Sequence, residues 1–269
     1  MDQVRVIEGL AVLAQLPAVA ALLRRPEQRG WPFWASIGAA ATAAVIVAAM
    51  LAAGGWQSGL VATMWTTLAG TLVVYLFVAA ITRAGWRLAP LVGAYATGVA
   101  GLSFIIAITA DGDGHTVAAV PSAWFTLHIV TAVATFALVT LAAITAFAGW
   151  IQLNALKSKH PTRLSRLLPS LSECEALSLR LLVLGVAVLA IGLATGIAIE
   201  YVTTGHFLAI NHKSVLTVAA FLVLGALLAL HYGTGMRGRS AVRVVLVGYV
   251  LLVLGYLGVK FVTDVLLAV

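Results

Sequence analysis

The chain is patterned as long, unbroken apolar runs rather than as alternating positions. The runs lie near residues 4–23, 35–54, 59–82, 88–110, 124–152, 178–200, 213–232 and 243–266. A bilayer core about 30 Å thick is crossed by roughly 20 apolar residues in helical form. Short breaks of turn and charge residues separate the runs: RRPEQRG, GGWQSG, RAGWR, DGDGH, KSKHPTR, TTGH and GTGMRGR. Strands of a membrane barrel would alternate polar and apolar, and these runs do not. The pattern predicts an all-α polytopic membrane helix bundle of eight transmembrane helices, one integral membrane domain over 1–269. From Trp124 to about Lys157 the helical pattern runs past thirty residues. At about 1.5 Å per residue that is roughly 45–50 Å, so the fifth helix is expected to project past the headgroups. The following stretch, PTRLSRLLPSLSECEALSLR, mixes apolar and basic positions. It reads as a short interfacial helix, with a solvated basic loop as the plainer alternative.

Composition agrees with lipid as the solvent. The 269 residues are 62% hydrophobic and 9% charged, with a mean hydropathy of +1.07. Soluble domains hold about 45–50% apolar and about 25% charged residues. A secreted disulfide scaffold, a cytosolic enzyme and a nucleic-acid-binding module are thereby excluded. The lone Cys174 excludes an internal disulfide, a cysteine-rich zinc site and a CxxCH haem-attachment sequence. Glu8 breaks the first run and no small-x-small cleavage site follows, so the N-terminus is expected to be mature rather than a signal peptide.

The net charge of +7 is a matter of sidedness. Thirteen of the 16 basic residues fall in alternate loops: Arg24, Arg25 and Arg29; Arg83 and Arg87; Lys157, Lys159, Arg163, Arg166 and Arg180; Arg237, Arg239 and Arg243. Only Arg5, Lys213 and Lys260 fall on the other side, with six of the nine acids. Positive-inside bias then predicts those loops in the cytoplasm and both termini outside (N-out/C-out). Trp31, Trp34, Trp86 and Trp150 map to the inner boundary and Trp56 and Trp124 to the outer, as an aromatic belt requires. Trp65 lies inside the third span and is expected to be packing.

Few polar groups remain that could carry chemistry. His115, His128, His206 and His212 map to the outer side. His128 lies one turn below Trp124 on the fifth span, and His212 opens the seventh, which runs in the same direction. Two neutral imidazoles at similar depth are the arrangement that holds a bis-His haem between helices. A hydrogen-bonded boundary histidine is the plainer reading of either residue alone. A zinc site from the four outer histidines is conceivable, but no HxxxH or HxxE spacing puts two ligands on one helical face. Lys213 suits a haem propionate or a snorkelling position. His231 closes the seventh span at the inner boundary, where the helix dipole favours it. Glu200 and Asp264 read as interfacial charges, His160 as a solvated loop residue, and Gly185, Gly192 and Gly196 as close helix packing. No nucleophile–base constellation, phosphate loop or HExxH is present, so nothing argues for an enzyme.

Four stretches carry a likeness: LHIVTAVATFALVTLAAITAFAGWIQL (127–153), LPSLSECEALSLRLLVLGVAVLAIGLATGIAI (168–199), NHKSVLTVAAFLVLGALLALHYG (211–233) and MRGRSAVRVVLVGYVLLVLGYLGVKF (236–261). In order and spacing, residues 124–266 resemble the cytochrome c assembly family of haem-handling inner-membrane proteins (CcsA/CcmC-like), closest to the short HemX/YpjD branch. Residues 1–110 add only generic hydrophobic spans. The resemblance implies non-covalent haem b, His128 as an external haem ligand, His231 as an inner haem way-station and Lys213 as the lysine after the external loop. It also implies the bacterial cytoplasmic (inner) membrane and, as partners, haem, the lipid bilayer and other cytochrome c maturation or membrane proteins, with no nucleic acid. YVTTGHFLAIN (201–211) is short and lacks the family's tryptophan-rich loop; no histidine follows the last span; and His212 stands where the family carries Asp.

The expected function is therefore a haem-binding or haem-handling membrane protein related to cytochrome c biogenesis, with His128 and His212 as axial ligands near the outer face. The alternative is a haem-free accessory or regulatory subunit on the same scaffold. Secondary transport would call for inverted repeats or broken helices, which are not evident.

Overall fold

The computed structural model describes residues 2–20, 30–53, 56–57, 59–109, 116–117, 123–204, 212–235 and 238–262; at several element ends, His212 and Lys213 included, only the backbone is described. The helices are α1 (Asp2–Ala20), α2 (Trp31–Ala52), α3 (Leu60–Ile81), α4 (Ala89–Thr109), α5 (Ala123–Ser158), α6 (Arg163–Leu167), α7 (Leu171–Thr204), α8 (His212–Thr234) and α9 (Arg239–Val253). A 3-10 turn, Gly85–Leu88, leads into α4. A π-helical turn, Leu254–Gly258, and a last turn, Val259–Phe261, extend α9. Among the described residues, strand structure is a two-residue antiparallel pair, Trp56–Gln57 with Thr116–Val117.

Seven helices among the described residues (α2, α3, α4, α5, α7, α8 and α9) are long and apolar enough to cross a bilayer. The chain is a multi-pass membrane protein. The first predicted span does form α1, but Arg5, Glu8 and Gln15 reduce its apolar character.

The residues group into two compact units. The first takes its described residues from 1–118, 155–169 and 260–269. Within it α1 packs along α2 and α4, and α3 lies against the same two helices. The polar face of α1 turns inward: Glu8 and Gln15 are buried, whereas Val6, Leu10, Leu13 and Leu16 are exposed. With hydrocarbon as the solvent, polar groups are the ones that need cover. Gln15 Nε2 donates to the carbonyls of Ala11 (3.2 Å) and Ala40 (3.1 Å), tying α1 to α2. Glu8 has the Trp65 indole and Arg5 as its polar neighbours. Trp65 is fully buried, a packing residue as expected.

On α3 the hydroxyls of Thr63, Thr66, Thr67 and Thr71 each donate to the carbonyl four residues back, which satisfies them without water. At the far end of α3, Tyr75 Oη donates to the carbonyls of Gly85 and Trp86, closing the turn into α4. Arg87 then donates through Nε to the Leu167 carbonyl (3.2 Å) and through Nη2 to that of Arg166 (3.1 Å), anchoring α6 to this turn.

The second unit takes its described residues from 119–154 and 170–259. At 36 residues α5 is about 54 Å long, so the expected length of more than thirty residues is borne out. A short helix does follow it in the next stretch, since α6 has five residues. The rest of that stretch belongs to α7, which starts seven residues before the predicted span. A capping box explains the early start: Ser170 N donates to Glu173 Oε2 (2.8 Å), and Glu173 N to Ser170 Oγ (3.4 Å).

Small residues bring α7 onto α5 in antiparallel register. A Cβ built at Gly185 would lie 3.0 Å from Val139 Cγ2, and one at Gly192 would lie 3.5 Å from Thr131 Oγ1. The packing reading of this glycine stripe is correct. Next, α8 packs on both α7 and α9, with Gly248 against Leu224 and Gly255 against Leu216 and Thr217.

Substituting Gly185 with Leu should force α5 and α7 apart and cost about 1–3 kcal/mol, the usual cost of overpacking. Thermal unfolding in detergent is expected to show a lowered midpoint. An unchanged midpoint would mean that the contact is not tight.

Candidate functional site

His128 sits on the second turn of α5, where that helix meets the GLATG segment of α7. Gly192, Thr195 and Gly196 recur at helical spacing i, i+3, i+4 and share one face. The imidazole lies against this face, 3.1 Å from where a Gly196 Cβ would stand, measured to its Cε1. Nδ1 is 3.1 Å from the Gly192 carbonyl oxygen and 3.1 Å from Thr195 Oγ1. Thr195 Oγ1 in turn donates to that carbonyl at 2.9 Å. The carbonyl can only accept, and the threonine proton is already committed to it. A hydrogen bond to this carbonyl requires Nδ1 to be the donor, so these contacts favour the Nδ1–H tautomer of a neutral ring. A backbone carbonyl and a polar side chain fixing one nitrogen is the support that gives a metal-ligating histidine its tautomer and orientation.

His212 opens α8, and the backbone register places it in depth. The Phe136 ring lies between Tyr249 (6.3 Å) and Tyr256 (6.0 Å) of the α9 extension, hence level with about residues 252–253. His128 is eight residues closer to the start of α5 than Phe136, about 12 Å, which corresponds to about residue 260 of that helix. The α8–α9 register, set by Gly248 on Leu224 and Gly255 on Leu216, carries the same level to the first turn of α8. The backbone of His212 thus stands within about one turn of the depth of His128. The side chains of His212 and Lys213 lie outside the described residues, as do His115, His206 and Asp264. Among the described residues no group of three or more His, Cys, Asp or Glu gathers as a metal site.

His231 is at the other end of α8, far from His128. It lines a cavity of about 320 Å³ between the ends of α5, α7, α8 and α9, at the lower end of the range for ligand pockets. Cys174, Glu175, Leu182, Leu227 and Val242 are among the other lining residues. The ring of His231 is edge-on to that of Tyr232, with centroids 5.5 Å apart. The structure therefore does not gather the four sequence candidates at one place. His128, with the start of α8, marks one end of this unit, and His231 the other.

Two parts of this arrangement were not read from sequence. Gly192, whose carbonyl holds His128, reads from sequence only as packing, and Thr195 is not singled out; the i, i+3, i+4 face of GLATG opposite a histidine was the available signal. Cys174 beside His231 carried no signal, because only the packing of α7 on α5 and α8 brings them to one cavity.

The model of the family described as cytochrome C assembly protein matches residues 30–267. This chain belongs to the cytochrome c assembly protein family. The match reaches well before residue 124, so the spans between about residues 30 and 110 that read as generic are part of the family pattern, while α1 precedes the match. The chain is also 40% identical over 280 residues to an uncharacterized 28.8 kDa protein in the nifR3-like 5' region of Azospirillum brasilense, covering 99% of this chain and all of the relative.

Thr195→Val should leave Nδ1 of His128 with one acceptor fewer and cost about 1 kcal/mol, whereas Thr195→Ser should retain most of that. Chemical unfolding of the two variants in detergent tests the pair. Equal stability of the Val variant and the parent would contradict the hydrogen-bond assignment.

Proposed function

We propose that this chain is a haem-handling protein of cytochrome c biogenesis that holds haem b non-covalently between His128 and His212 near the outer face of a bacterial inner membrane. The observation that carries this reading is the state of His128: its Nδ1–H is fixed by Gly192 and Thr195, so Nε2 is in the form that ligates iron. Family membership and the depth of the first turn of α8 support it. The donor type suits the group, since neutral imidazole nitrogens such as those His128 and His212 would offer are ordinary ligands of haem iron.

When bound, haem supplies a one-electron iron couple or is itself the cargo. The chain's own residues do the rest. The imidazole of His128 is oriented by α7, the glycines let it lie close to that helix, and Phe136, Tyr249 and Tyr256 cluster about two turns further along α5. Lys213 offers a cation for a propionate, and His231 offers an inner resting place at its cavity. In this reading α1 is the eighth transmembrane helix, both termini are outside, and the basic loops face the cytoplasm. The lack of a tryptophan-rich loop in 201–211 favours a second reading, a haem-free accessory subunit on the same scaffold.

Absorption spectra of the purified protein, and of His128→Ala and His212→Ala, separate the two. The expected result is a Soret band with sharp α and β bands after reduction, weakened in both variants. A colourless preparation that also fails to take up added haemin would leave the haem-free reading. A periplasm-active reporter fused after Val269 should be active; an inactive fusion would reverse the topology.

A further inference from the structure

Two stretches of the first unit, 82–88 and 155–169, hold six basic residues and no acidic one: Arg83, Arg87, Lys157, Lys159, Arg163 and Arg166. They are far apart in sequence, and the fold joins them. The Arg87 guanidinium donates to the carbonyls of Arg166 and Leu167, so the α3–α4 turn and α6 form one surface. Thr162 caps α6 by accepting from Ser165 N at 3.1 Å. This sets Ser165 and Leu168 inward, buried, while Arg163 and Arg166 stay exposed, as do Arg83, Lys157 and Lys159.

Trp86, beside Arg87, is edge-on to Phe33 at 6.3 Å, and Phe33 to Trp34 at 5.1 Å, an aromatic cluster of the kind that sits at headgroup level. Leu156, among the cations, is exposed. Exposed apolar surface beside a dense cationic face matches the boundary between acyl chains and phosphates.

We infer that this face is a binding site for anionic phospholipid headgroups, with α6 and the α3–α4 turn gripping the phosphates and Leu156 meeting the acyl chains. Two features go beyond a sidedness signal. The cations come from two separate loops pinned together by Arg87, and they include a helix too short to stand without that anchor.

The test uses the full-length protein in detergent, titrated with cardiolipin, with dioleoylphosphatidylcholine or with inorganic phosphate, read by native mass spectrometry and thermal unfolding. Cardiolipin should remain bound and raise the unfolding midpoint, less so in high salt, while the other two should do neither. A midpoint raised equally by inorganic phosphate would point to a free-anion site and overturn the lipid assignment. The double variant Arg163→Gln/Arg166→Gln, altered at exposed positions, should bind cardiolipin roughly tenfold to thirtyfold more weakly, as expected for two surface cations. Equal retention of cardiolipin and phosphatidylcholine by the parent, or undiminished cardiolipin binding by the variant, would overturn the inference.

Discussion

The close approach of α7 to α5 is the contact on which the His128 end of the second unit depends. Gly185, Gly192 and Gly196 remove the side chains that would hold the two helices apart, and in lipid such packing replaces the hydrophobic drive that water would supply. The approach has a chemical consequence as well as a structural one. It brings a backbone carbonyl and a threonine hydroxyl to the imidazole of His128, and so favours the proton on Nδ1. A side chain larger than glycine at 196 would meet the ring itself.

The same constraint, a solvent that offers no hydrogen bonds, explains where the other polar groups lie. Gln15 donates to carbonyls of two helices, the α3 threonines turn back onto their own helix, and Tyr75 closes a turn with its hydroxyl. Glu8 is buried beside Trp65 rather than exposed at an edge. In a soluble bundle α1 would be oriented the other way. Its leucines face outward because hydrocarbon is outside.

Much of the fold was legible in the sequence because length and hydropathy alone specify transmembrane helices. The apolar runs recover the helices, the long α5 and the break after it. The start of α7 at Leu171 was not legible from hydropathy, since the Ser170–Glu173 capping box extends the helix through a polar stretch. The inward face of α1 was not legible for a related reason: Glu8 reads only as a break in the first run, because nothing in the sequence says which helix will cover it. At the site, His128 was legible from its place below Trp124, and its partners on α7 were not, since they depend on which face of α7 meets α5. The His231 cavity is likewise a product of tertiary packing among four helix ends.

The central claim is that two imidazoles, one of them set by α7, share a haem iron. Low-temperature electron paramagnetic resonance of the oxidised, haem-loaded protein tests this most directly, because it reports the axial ligands of ferric iron. The account predicts a low-spin spectrum of the bis-imidazole type in the parent, converted to a high-spin one when His128 is replaced by alanine. A parent spectrum that is already high-spin, or a low-spin spectrum that survives the loss of His128, would contradict it.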